Sequence, residues 1–253
     1  VRKSVSLWRM FVQKNVIMER NVIKQLLAWK QKKNRKPLIV NGARQVGKTY
    51  ILRDFGTKYY QKMAYVNCDK NEMVEKIFAQ DYNIERILLS LSALLHVNIE
   101  PENTLIIFDE IQENPVVLNS LKYFCEDAPA YHVAVAGSLL GISLHGGMSF
   151  PVGKVDFLSL YPMSFTEFLM ATGSENLAAY LGAVNEIEPL PDAFFNPLAE
   201  KLKMYYVTGG MPEVVSRWEE TQSVGQVQQV LMDIIQAYER DFMKHPAPRE
   251  YPK

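Results

Sequence analysis

The chain has 253 residues and zero formal net charge, with 48% hydrophobic and 22% charged residues. That mix supports a buried core in one large or two small domains, and the balanced charge excludes a global pull toward nucleic acid or anionic lipid. No apolar run approaches the ~20 residues that cross a bilayer, so no membrane partner is expected, and two cysteines, Cys68 and Cys125, lack metal or disulfide spacing and point to a reducing cytoplasm.

Residues 1–17 start basic but lack the apolar segment and cleavage site of a signal peptide. They are expected to be a disordered extension ahead of a natural start at Met18. Met18, Val22, Ile23, Leu26, Leu27 and Trp29 recur at helical spacing and predict a lead-in helix. The basic run KQKKNRK, Lys30 to Lys36, follows. It suits a solvated helix end, with nucleic-acid contact as the alternative.

Short apolar runs come next: PLIV after the basic run, MAYVNC (Met63 to Cys68), TLIIFD (Thr104 to Asp109), HVAVAG (His132 to Gly137) and the weaker VDFLSL (Val155 to Leu160). Such runs read as strands buried on both faces. Helical patterns separate them: Ile84, Ile87, Leu88, Leu91 and Leu95 share one face, and Asn114-Pro115 reads as an N-cap and first helical residue. Strands alternating with helices predict an α/β fold with a parallel sheet covered on both sides.

Beyond about residue 162 the strands stop. SFTE, Ser164 to Glu167, has the form of a capping box. Asn196-Pro197 is expected to open another helix, Gly209-Gly210-Met211-Pro212 to break the chain, and Val227, Leu231, Ile234, Ile235, Tyr238 and Phe242 to line a long helix. The tail HPAPREYPK reads as a linker.

Gly42-Ala43-Arg44-Gln45-Val46-Gly47-Lys48-Thr49 matches G-x-x-x-x-G-K-[ST] in full, with Tyr50 following. Backbone N–H groups of such a loop form an anion nest, which side chains at the glycines would obstruct. Lys48 would reach the β- and γ-phosphates, Thr49 would offer its hydroxyl to Mg²⁺, and the helix starting near Gly47 would turn its positive end to the same phosphates. LIIFDE then ends an apolar strand in two carboxylates. Asp109 is placed to hold Mg²⁺ and Glu110 to act as general base on an attacking water. Ser138, at the end of the following strand, would sense the γ-phosphate if that strand neighbours the loop's strand; a plain helix N-cap is the alternative. His96, His132, His145 and His245 are scattered and suggest no metal site.

GARQVGKT, LIIFDEIQENP, AGSLLG, SLYPMSFTEFL and GGMPEVV together resemble a widespread group of AAA-superfamily ATPases of bacteria and archaea, over nearly the whole chain from Met18. The resemblance implies a P-loop fold with a catalytic glutamate, five strands in the order 5-1-4-3-2, and a smaller C-terminal all-helical lid. Its boundaries would be 18–172 for the core, 173–245 for the lid and 246–253 for a linker to a further C-terminal domain. It places Gly210 and Pro212 of the lid near the base or ribose. Members often carry Gly-Arg before the fifth strand, a candidate arginine finger; here the pair is Gly153-Lys154, which keeps charge without the bidentate fork. ATP and Mg²⁺ are the implied cofactors. A working ATPase moving its lid, a slow switch gating a protein or nucleic-acid partner, and a small-molecule phosphotransferase are the competing functions. The last would need an arginine-rich lid that the sequence does not show.

Overall fold

The structure is a computed structural model and describes residues 20–137, 153–184 and 188–244, the side chains of 241, 242 and 244 excepted. The described residues form two compact units, Val22–Tyr161 with the helical residues from Tyr238, and Pro162–Ala237 with Arg20 and Asn21.

The larger unit is built on the five apolar runs. They are β1 (Leu38–Gly42), β2 (Lys62–Asn67), β3 (Thr104–Asp109), β4 (His132–Ala136) and β5 (Asp156–Leu160). They pair in parallel in the order β2-β3-β4-β1-β5, which is the expected 5-1-4-3-2 order read from the other edge. Side chains alternate across the sheet. Ile39, Val66, Ile106, Phe108 and Val135 pack beneath α3 (Glu72–Ala79), α4 (Ile84–Leu95) and α5 (Pro115–Asp127). Leu38, Val40, Leu105, Ile107 and Leu160 pack beneath α1 (Val22–Gln31) and α2 (Lys48–Tyr59). Each large side chain buried this way is worth about 1.5–3 kcal/mol. Asn114 caps α5 by accepting from Val117 N, with Pro115 first in the helix as expected.

The basic run is committed within this unit. Lys32 pairs with Asp156 at 2.9 Å, and Lys36 donates to the Gly153 carbonyl at 2.6 Å. Arg35 donates to the carbonyls of Lys30 and Pro129 at 3.0 and 3.2 Å, while Lys30 donates to the Tyr59 carbonyl and lies over the Tyr60 ring. Lys30 thus ties α1 to the end of α2, and the cations after α1 tie that segment to β5 and the neighbouring loops.

The smaller unit is helical: α6 (Phe165–Ala171), α7 (Glu175–Ala183), α8 (Asp192–Thr208), α9 (Pro212–Thr221) and most of α10 (Val224–Lys244). The capping box at Ser164 and Glu167 forms as expected. Glu167 is also buried, accepting from Asn21 N at 2.8 Å and pairing with Arg20 at 3.1 Å. α6 packs on α7 and α8, and the smaller unit takes in the chain from Pro162.

Two helical expectations need correction. Asn196-Pro197 does not open a helix: α8 starts at Asp192 after Pro191 as N-cap, and Pro197 lies inside it. So near the helix start, Pro197 forgoes one backbone bond and the turn survives. In α10 the buried stripe is Val227, Val230 and Ile234, while Ile235 is 49% exposed. Among the described residues no helix is long and apolar enough to cross a membrane.

Gly210 is fixed by packing. A Cβ there would collide with the Met163 backbone, whose N–H donates to Gly210 O at 2.7 Å and whose carbonyl accepts from the Tyr205 hydroxyl at 2.7 Å. Gly210→Ala is therefore expected to cost about 1–3 kcal/mol of stability through overpacking, read as a lower urea midpoint. An unchanged midpoint would contradict this packing.

Candidate functional site

The site begins where β1 ends. Gly42 lies beside β5, pairing in register with Leu160, and a Cβ on it would strike the Leu160 carbonyl. The chain then turns through Gln45 at φ +62° and Gly47 at φ +96°, and α2 begins at Lys48. Val46 is fully buried and anchors the loop in the core, while Ala43, Arg44 and Gln45 stay exposed. No side chain caps α2 at Gly47. Its first N–H groups and its positive end suit an anion.

Lys48 folds back over this loop, donating to the carbonyls of Gly42 and Ala43 at 3.0 and 2.8 Å. Burial lowers its pKa from the usual lysine value, an effect opposed by the nearby charges of Glu110 and Asp109. Tyr50, next after Thr49, is more than half exposed on the first turn of α2. The Tyr238 hydroxyl donates to the Arg44 carbonyl at 2.8 Å.

The second half of the site comes from β3, which lies two strands from β1. Asp109 is 5% exposed, and its carboxylate accepts hydrogen bonds from three groups. Thr49 Oγ1 and Glu110 N donate to its Oδ1 at 3.1 and 3.0 Å, and the Tyr65 hydroxyl donates to its Oδ2 at 2.8 Å. Thr49 and Asp109 thus bring two hard oxygen ligands together. Mg²⁺ binds through one or two such groups and keeps several waters, so this donor set fits it. Among the described residues no cluster of three His, Cys, Asp or Glu competes as a metal site.

Glu110 sits at φ +51° and ψ +44°, a left-handed conformation for a non-glycine residue. Strain of this kind costs about 1–3 kcal/mol and concentrates at functional sites. It ends the strand alternation and leaves the side chain exposed, with Gln112 Nε2 donating to Oε2 at 2.5 Å. A carboxylate has about four lone-pair sites, so this bond orients Glu110 without exhausting it. Burial, followed by the charges of Asp109 and Glu110, pushes the Cys68 thiol up to about 12. That thiol is uncharged at neutral pH and is no nucleophile.

The remaining expected residues divide three ways. β4 does neighbour β1, the condition set for Ser138, but Ser138 lies outside the described residues, as do His145 and His245. Gly210 and Pro212 belong to the helical unit. Lys154 pairs with Glu126 at 2.8 Å. It precedes Asp156, which pairs with Leu38 at the start of β1, whereas the loop follows Gly42 at the other end. A five-residue strand at ~3.3 Å per residue separates the two ends, so Lys154 does not reach the loop of its own chain. His132 is buried with Nδ1 2.6 Å from the Tyr60 hydroxyl; burial lowers its pKa to about 3, so it is a neutral core residue.

Sequence reasoning passed over Tyr65 and Gln112. Tyr65 was recoverable, because strand periodicity places residues 65 and 67 of β2 on one face beside 107 and 109 of β3. Gln112 depends on the left-handed turn at Glu110, which no local pattern announces.

Residues 34–169 match the model of a family described as AAA domain, and residues 199–253 match a domain of unknown function, DUF8612. No match among curated proteins was found. Among solved structures, PCH-2 of C. elegans is 12% identical over 86% of this chain and 67% of its own, with a TM-score of 0.44. The Thermotoga maritima RuvB Holliday junction branch migration motor is 14% identical over 84% and 70%, at 0.47. Drosophila ORC bound to DNA is 17% identical over 90% and 68%, at 0.45.

Proposed function

The chain belongs to the AAA domain family, and on that premise we propose that it binds ATP with Mg²⁺ and hydrolyses it. The observation that carries this reading is the 3.1 Å bond between Thr49 and Asp109, which joins the loop and the acidic strand end into one site. In this reading the N–H groups of Gly42 to Tyr50 and the start of α2 hold the phosphates, and Lys48 exchanges its bonds to Gly42 and Ala43 for phosphate oxygens. Thr49 and Asp109 would hold Mg²⁺, which when bound neutralises charge on the phosphate oxygens. Glu110 accepts a proton from the attacking water, and Ser138 senses the γ-phosphate. The helical segment would serve as a lid, with Gly210 and Pro212 approaching the base or ribose, and its motion would be the output passed to a further domain or a protein partner.

Phosphate release by the purified chain from ATP tests this, with Mg²⁺ and with excess EDTA, at several protein concentrations. Mg²⁺-dependent turnover is expected. Turnover that rises per molecule with concentration would mean that subunits assemble around the site.

A second reading is a slow nucleotide-dependent switch. It is favoured by the Gln112 bond to Glu110, and by the Lys154–Glu126 pair, which engages the cation standing where relatives of this type often have arginine. ADP retained through purification with negligible turnover would select it. Nucleic-acid contact through the basic run is disfavoured by the intramolecular bonds of Lys30, Lys32, Arg35 and Lys36.

A further inference from the structure

Tyr65 lies outside the loop and outside the acidic strand end, yet it makes the shortest bond to Asp109. Its place follows from the register. Tyr65 pairs with Ile107 on β3, so Asp109 is the diagonal neighbour two residues on, on the same face. Residues two positions apart on a strand share a face, and an aromatic side chain is long enough to bridge to the neighbouring strand there. Tyr65 spans that gap, and its hydroxyl meets Asp109 Oδ2 at 2.8 Å.

The ring is held from a second side. Arg53 lies on α2, one helical turn beyond Thr49, and its guanidinium sits 4.8 Å from the Tyr65 ring centroid. Thr49 and Arg53 therefore project from one face of α2, toward Asp109 and Tyr65 respectively. The four residues close a loop: Thr49 to Asp109, Asp109 to Tyr65, Tyr65 to Arg53, and Arg53 back to Thr49 through the helix.

We propose that Tyr65 is a positioning residue for the divalent cation, its hydroxyl fixing the Asp109 carboxylate so that Oδ1 stays beside Thr49. A carboxylate on a strand end can rotate about its last bond and exchange its two oxygens. With Oδ2 engaged by Tyr65, rotation costs a hydrogen bond to a charged acceptor. Partners that orient a metal-binding carboxylate in this way typically govern metal affinity by 10–100-fold when removed. Tyr65 touches neither the reacting atoms nor the nucleotide in this scheme; it acts through Asp109. The inference rests on the cation lying at Thr49 and Asp109.

Tyr65→Phe tests it, because it removes only the hydroxyl and keeps the ring against Arg53. Binding of a non-hydrolysable ATP analogue to the full chain is measured by calorimetry, once in excess EDTA and once across a Mg²⁺ titration. The Mg²⁺ concentration giving half of the metal-dependent gain should rise about tenfold or more in Tyr65→Phe, while affinity in EDTA matches the wild type. A purely structural tyrosine would weaken both arms together, and that pattern overturns the proposal. An identical Mg²⁺ titration in both proteins overturns it as well. If wild-type binding gains nothing from Mg²⁺, the cation reading of the site fails, and this inference fails with it.

Discussion

Glu110→Gln is expected to keep ATP and lose turnover. The substitution changes two properties, charge and basicity, and leaves shape almost alone. Gln112 Nε2, which donates to Oε2 of Glu110 at 2.5 Å, finds a carbonyl oxygen in the same place. The left-handed backbone at position 110 is no more strained for glutamine than for glutamate. An amide cannot take a proton from water, so the contribution of a positioned general base, about 10²–10⁴-fold, disappears from the hydrolytic step. Effects on binding oppose each other. Losing the carboxylate removes repulsion toward the phosphates, but it also removes one of the charges that keep Lys48 protonated against burial. Each is a screened interaction of about 1 kcal/mol, so affinity should stay within about tenfold. Single-turnover phosphate release, run beside a nucleotide titration, reads both quantities. Turnover within a few fold of the wild type would remove Glu110 from the chemistry.

Much of the core was legible because it depends on local rules. Strands such as TLIIFD, buried on both faces, must be apolar throughout, and β3 runs from Thr104 to Asp109 as its apolar run does. Caps such as Asn114 are legible for the same reason: the side chain answers to a backbone N–H three residues on. The parts that resisted depend on contacts distant in sequence. Gly210 reads as a helix breaker but is set by the Met163 backbone. The basic run is the solvated helix end it reads as, exposed over residues 31–34, but its bonds to Asp156 and Gly153 come only with the placing of β5. Pro197 reads as a first helical residue, yet Pro191 already starts that helix. In the site, Lys48, Thr49, Asp109 and Glu110 follow from motif spacing. Tyr65 and Gln112 do not, because strand pairing brings the first to Asp109 and a backbone turn brings the second to Glu110.

Lys48→Ala is expected to abolish binding where Glu110→Gln preserves it. In the structure the Lys48 ammonium spends its donors on the carbonyls of Gly42 and Ala43. Those carbonyls belong to the loop that is to cradle phosphate, so the bonds hold the ammonium at the loop's mouth. Phosphate oxygens carry charge and carbonyls do not, so the ammonium gains the attraction of an opposite charge on moving from one to the other. Moving the ammonium from carbonyls to phosphate is therefore downhill, and alanine removes the whole gain. Only the difference between the two sets of bonds counts, and one added ion pair at about 4 Å and an effective dielectric near 20 is worth about 4 kcal/mol, a loss of up to ~10³ in affinity. The fold should tolerate the change, because Val46 and Ile51 anchor either side of the loop in the core without help from Lys48. Circular dichroism melting should therefore stay close to the wild type while calorimetric binding of the ATP analogue vanishes. Lys48→Arg sharpens the outcome: it keeps the charge but replaces a compact ammonium with a broad planar fork, so partial binding is expected. Full binding by Lys48→Ala would mean that the backbone nest and the start of α2 hold the phosphates alone, and that Lys48 serves only to brace the loop. Loss of binding in Lys48→Ala with retention in Glu110→Gln would separate the group that grips the nucleotide from the group that activates water, within one site.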